Sequence, residues 1–113
     1  MTDQTPAQTQ TSISTVTGVF ALLKAKPGVA RDRVMAVMPA EIRATVKLYL
    51  EGKIRDWYAR EDGRGGVFLL NAKDVAEAES IMQSLPLAKE KLLDHEYIAV
   101  GPLMPLRLLL GNQ

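Results

Sequence analysis

Apolar positions along the chain change period several times, and each change marks an element. Between Thr15 and Lys26, Val16, Gly18, Phe20 and Leu22 fall on one side of an extended chain, and Thr17, Val19, Ala21 and Leu23 on the other. This is strand one, apolar on both faces, and Pro27-Gly28 ends it. Val29 to Glu51 takes a helical period. Pro39 suits a first helical turn and disfavours helical geometry at Met38, which predicts a short helix over 29–37, a kink, and a second piece over 39–50. In that second piece Ile42, Val46, Tyr49 and Leu50 recur at i, i+4, i+7 and i+8, an apolar stripe, with Gly52 placed for the left-handed residue after the helix.

Strand two is Ile54 to Arg60. Alternation puts Ile54, Asp56, Tyr58 and Arg60 on one face and Arg55, Trp57 and Ala59 on the other. The turn Glu61-Asp62-Gly63-Arg64-Gly65-Gly66 leads into strand three, Val67 to Ala72, so the two strands read as an antiparallel hairpin. Asp74 with Glu77 three residues on is a capping-box variant opening a helix. That helix buries Val75, Ala78, Met82 and Leu85, and Pro86 stops it. Strand four is Leu93 to Val100, after the charged loop Lys89-Glu90-Lys91.

The order β-α-β-β-α-β, with right-handed crossovers, predicts an α+β fold: a ferredoxin-like four-stranded antiparallel sheet with both helices on one face. Two helices cover one face only, yet strands one and three are apolar on both. The expected cover for the second face is another copy of the chain, giving a homodimer or a larger assembly of dimers whose sheets enclose a dimeric α+β barrel. Residues 1–14, polar and almost without apolar content, are expected to form a disordered tail. Residues 15–113 form a single domain ending in the apolar extension Leu103 to Leu110.

Composition narrows the functions. Net charge is +1 from 14 basic and 13 acidic residues, with no run of like charge longer than a pair, so no electrostatic footprint for nucleic acid exists. The absence of cysteine excludes disulfides and thiol nucleophiles. The first residues carry no basic-then-apolar leader and no stretch of ~18 apolar residues occurs. The expectation is a cytoplasmic protein without a membrane partner.

Glu51-Gly52, Arg55-Asp56-Trp57-Tyr58, Val67-Phe68, Val75 with Glu77, and Ser84-Leu85-Pro86-Leu87 together resemble the muconolactone isomerase-like family of the dimeric α+β barrel superfamily. The resemblance covers about Leu48 to Leu103. It implies a homo-oligomer with a small-molecule pocket and a cofactor-independent proton transfer on a small cyclic or enolisable, lactone-like compound. The family's enzymes carry histidines on strand two and in the following turn; Asp56 and Gly63 stand at those places here.

The residues themselves offer two catalytic candidates. Asp56 shares a strand face with Tyr58 and Arg60, a carboxylate, phenol and guanidinium able to move a proton and hold a developing oxyanion; a cluster closed on itself by an Asp56–Arg60 pair is the structural reading. His95, the only histidine, lies between Asp94 and Glu96, where a carboxylate can tune it as a general base. Tyr58, Arg60, Trp57 and Tyr97 are the substrate-binding candidates. Trp57 is expected in the core against the helices, with a stacking platform as its functional reading, and Tyr97 carries the same two readings. Gly63-Arg64-Gly65-Gly66 joins antiparallel strands and lacks the P-loop lysine and serine, so it reads as a turn. One histidine and scattered carboxylates give no metal-ligand spacing, and no cofactor is expected. The competing function is a non-catalytic small-molecule binder or assembly subunit on the same oligomeric barrel.

Overall fold

The computed structural model describes residues 16–102; the expected tail at 1–14 and the apolar segment Leu103 to Leu110 lie outside them. The elements are β1 (Gly18–Ala25), α1 (Arg31–Leu50), β2 (Ile54–Ala59), β3 (Gly65–Leu70), α2 (Val75–Gln83), α3 (Pro86–Lys89) and β4 (Leu93–Val100). The strands form one antiparallel sheet in the order β2-β3-β1-β4. This is an α+β chain with a four-stranded antiparallel sheet and three helices, compatible with the ferredoxin-like arrangement that the order of elements predicts.

Strand register decides which side chains meet the helices. Val19, Ala21 and Leu23 are buried on β1, and their partners Leu70 and Phe68 are buried on β3. These residues join Leu48 of α1, Ala78 and Met82 of α2, Leu87 of α3 and the nearby Leu85 and Leu92 in one core. The opposite face carries Phe20 beside Leu69 and Ile98, and Leu22 beside Val67. There Phe20, Leu22, Val67 and Leu69 are only half-buried, and Ile98 is 46% exposed.

β2 departs from simple alternation. Its ladder with β3 skips a residue between Ile54 and Asp56, and Arg55 is the extra one. This bulge turns Ile54 into the core at 2% exposure, on the same side as Trp57, and leaves Asp56 and Tyr58 on the open face. Grouping Ile54 with Asp56 by strict alternation is thereby corrected. The Arg55 guanidinium donates to Asn71 Oδ1 from Nε at 2.9 Å and from Nη2 at 2.6 Å, and to the Thr17 carbonyl at 2.7 Å, tying β2 across to the chain entering β1.

α1 runs unbroken through Pro39 for 20 residues, in place of two kinked pieces. Proline removes one N–H and crowds the carbonyl four residues earlier. Pro39 and Met35 are both exposed, so water can take the carbonyl that Pro39 frees. The buried face of α1 also differs from the predicted stripe. Glu41 and Leu48 are its buried residues, with Ala44 and Thr45 half-buried between them, whereas Ile42, Val46, Tyr49 and Leu50 are 41–77% exposed. The helix ends in a Schellman motif: the Lys53 amide donates to the Leu48 carbonyl and the Gly52 amide to the Tyr49 carbonyl, with Gly52 at φ 81°.

α2 opens as its capping box predicts. The Glu77 amide donates to Asp74 Oδ1 and the Lys73 amide to Glu77 Oε1, both at 2.8 Å. Ala78, Met82 and Leu85 are buried, but Val75 stays 39% exposed in the first turn. Pro86 does more than stop α2, since it also opens α3 at a position where its missing N–H is harmless.

Candidate functional site

Small residues leave the space in which a site can form. At one end of the helix-covered sheet face, Ala59 pairs with Gly66 and Gly66 with Leu23. Neither Ala59 nor Gly66 can reach the overlying helix. A Cβ on the adjacent Gly65 would collide with the Leu23 carbonyl, so the backbones there approach as only glycine allows. Above this floor pass Val34, Met38 and Ile42 of α1. Between them lies a cavity of about 620 Å³, walled further by Phe68, Trp57 and Leu93. That volume suits a small organic molecule, and the walls are mainly apolar.

One ionisable side chain is buried in this wall. Glu41, 6% exposed, lines the cavity, and its Oε1 accepts a hydrogen bond from the Leu87 amide at 2.9 Å in the first turn of α3. Burial pushes its carboxyl above the ordinary value of 4.5, and the Leu87 hydrogen bond opposes this only in part. The exposed Arg31 and Arg64 also line the cavity, one from the start of α1 and one from the β2–β3 turn. Neither has a carboxylate partner among the described residues.

The residues singled out from sequence do not converge on this space as a set. Trp57 and Tyr58 line it. Trp57 is 40% exposed, at the sheet edge, and its ring meets Tyr49 edge-on at 4.5 Å between centroids, so it is a half-open wall and not the expected core residue. Asp56 is exposed on the open sheet face, beside Tyr58 as predicted. Arg60 leaves Asp56 alone. It pairs with Asp62 in the turn, at 3.0 and 3.2 Å, and holds the Asp62 carboxyl down to about 2 with help from the Arg64 amide.

His95 and Tyr97 lie on β4, the opposite edge strand from β2, and on the helix-covered face. Asp56 and His95 therefore occupy opposite faces and opposite edges of the sheet. The His95 and Tyr97 rings stack with centroids 6.1 Å apart and planes 8° from parallel. Their buried Nε2 and hydroxyl atoms find no partner in hydrogen-bonding geometry among the described residues, although the Gln83 amide lies close enough to oppose the rise of the tyrosine pKa. Burial lowers the His95 pKa and raises that of Tyr97, so both favour their neutral forms. Asp94 and Glu79 work against burial at His95, and Lys26 works with it.

Glu41 went unnoticed in the sequence because it sits one residue before the conspicuous Ile42-Val46-Tyr49 stripe. The signal that finds it is the second stripe Glu41, Ala44, Thr45 and Leu48, at i, i+3, i+4 and i+7, which is the one the core receives. Among the described residues no three histidine, aspartate or glutamate side chains gather as a metal site, and no helix is long and apolar enough to cross a membrane. No protein-family model matches the chain, and no curated protein matches it.

Proposed function

We propose that the chain is a small-molecule-binding protein of the isomerase-like kind, which moves a proton on a small cyclic or enolisable compound without a cofactor, in the cavity beneath α1. The observation that carries this reading is the 620 Å³ apolar space with a single buried carboxylate in its wall. Ionised Glu41 would take the proton from carbon, and the carboxylic acid so formed would return it at another carbon. Burial, by raising the carboxyl pKa, favours the protonated form that the return requires. The resemblance to the muconolactone isomerase-like family supports the same class of reaction. Asp56 and His95, outside the cavity, do not share in the reaction proposed for it; Trp57, on the helix-covered face, contacts the ligand.

The test is proton exchange itself. A small unsaturated lactone, 2(5H)-furanone, incubated with the protein in D2O is expected to lose the NMR signal of its acidic C5 protons faster than in D2O buffer alone. Exchange at the buffer rate together with unchanged protein amide shifts would end this reading.

The assembly reading rests on a different observation, the open sheet face. Phe20, Leu22, Val67, Leu69 and Ile98 form a contiguous apolar patch across three strands. We infer that a second copy covers it, sheet to sheet, as a homodimer with a barrel-like centre; a stable interface of this type buries roughly 1,600 Å² in total. Light scattering at micromolar concentration is expected to give about twice the 12.4 kDa of one chain. A mass of one chain would remove the barrel.

A further inference from the structure

We propose that Glu41 is the polar anchor of the cavity, and that the compound it selects is a neutral, largely apolar molecule with one carbonyl group, whose oxygen receives a hydrogen bond from the Glu41 carboxyl. This rests on the reading of the cavity as a ligand site and adds the chemistry that the site recognises.

The geometry divides the work between the two carboxyl oxygens. Oε1 is occupied by the Leu87 amide, which fixes the side chain against the first turn of α3. Oε2 has no donor among the described residues, and the residue lines the cavity, so Oε2 is the atom offered to a ligand. With Oε1 accepting, a proton on Oε2 makes the group a donor, as a neutral carboxylic acid is. Burial among apolar walls favours that neutral form. The charged groups facing the cavity are Arg31 of α1 and Arg64 of the turn, both exposed, while α3, β1, β3 and β4 present Leu87, Leu23, Phe68 and Leu93, and β2 presents Trp57 and Ala59, with the phenol of Tyr58 its one titratable group at the cavity. A ligand amine would need Glu41 ionised, which burial opposes. A ligand anion would be stripped of water against apolar walls, without a buried cation to receive it. A carbonyl oxygen asks only for a donor, and Glu41 supplies one.

Acetophenone and ethylbenzene differ by this oxygen and little else in shape. Their binding is read by NMR from the amide signals of Ala59 and Gly66 and from the Trp57 indole, all at the cavity. At about pH 4, below the ordinary carboxyl value of 4.5 that burial raises, the parent protein is expected to bind acetophenone at least about fivefold more tightly than ethylbenzene, the effect of one hydrogen bond. The preference is expected to shrink as the solution is taken to about pH 9 and the carboxyl ionises. Glu41→Gln keeps an acceptor for Leu87 and a donor for the ligand, so its preference is expected to persist at both pH values. Glu41→Leu is expected to bind ethylbenzene as well as the parent does and to lose the preference. Equal binding of the two compounds by the parent, a preference surviving in Glu41→Leu, or a preference in Glu41→Gln that falls with pH as the parent's does, would overturn the assignment while leaving the cavity a ligand site. If neither compound moves the cavity signals, the ligand site itself is refuted and the anchor with it.

Discussion

The row Ile54–Leu70–Val19 crosses one end of the sheet, and none of its three side chains is more than 2% exposed. At the other end the row Ala59–Gly66–Leu23 crosses the same face, and only its leucine is buried. Both rows lie under helices and belong to the same strands. The difference is side-chain volume. Branched residues in the first row meet a core that includes Leu48, Met82 and Leu85, whereas alanine and glycine in the second leave the N-terminal half of α1 held above an open space. One end of the layer supplies stability and the other supplies room. A carboxylate can be buried only where room and a backbone donor occur together, and Glu41 with the Leu87 amide meets that condition.

Substitutions in the two rows should therefore behave differently. Leu70→Ala opens a void where packing is complete, and urea unfolding is expected to show a loss of about 2–5 kcal/mol. A loss below about 1 kcal/mol would mean that this end is as loosely packed as the other. Trp57→Ala, at the half-open edge, removes a ring that is already 40% exposed, and the expected loss is about 1–2 kcal/mol, with the edge contact to Tyr49 included. A loss as large as that of Leu70→Ala would place Trp57 in the core after all.

Ala59→Phe fills the floor of the cavity from an exposed backbone position. Stability is expected to stay within about 0.5 kcal/mol of the parent, while binding of apolar probes is abolished. Unchanged binding would move the ligand site elsewhere.

Glu41→Gln sharpens the comparison through pH. The folded protein holds the Glu41 proton more tightly than the unfolded chain, because burial raises its pKa above 4.5. Below 4.5 the group is protonated in both states and its contribution to stability is fully present. As pH rises through the folded value that contribution is lost, so the melting temperature of the parent should fall relative to Glu41→Gln between acid and neutral pH. A constant difference would show that the carboxyl titrates as a solvated group.

Much of the fold is legible in the sequence because its signals are local. The capping pair Asp74 and Glu77, Gly52 after α1 and the bounds of β4 each depend on a few neighbouring residues. What escapes local reading is which of two stripes on α1 faces inward. Ile42, Val46 and Tyr49 are the more apolar stripe, yet the core takes Glu41, Ala44 and Leu48, since α3 presents a backbone amide that only an acceptor on that side can satisfy. The bulge at Arg55 is hidden for a similar reason: its partners Asn71 and Thr17 are distant in sequence. Pairing Asp56 with Arg60 by alternation overlooks Asp62, two residues away in the turn and closer in space. The candidate site is legible only in its rim, Trp57 and Tyr58, because the cavity comes from absent side chains at Ala59 and Gly66, and absence leaves no hydrophobic pattern to read.

The most direct measurement is a crystal structure of the protein soaked with acetophenone. Electron density for the ring is expected between α1 and β3, against Phe68 and Met38, with the ketone oxygen within hydrogen-bonding distance, about 2.5–3.0 Å, of Glu41 Oε2. An empty space beneath α1, with the compound bound on the open sheet face beside Asp56 and Tyr58, would contradict it.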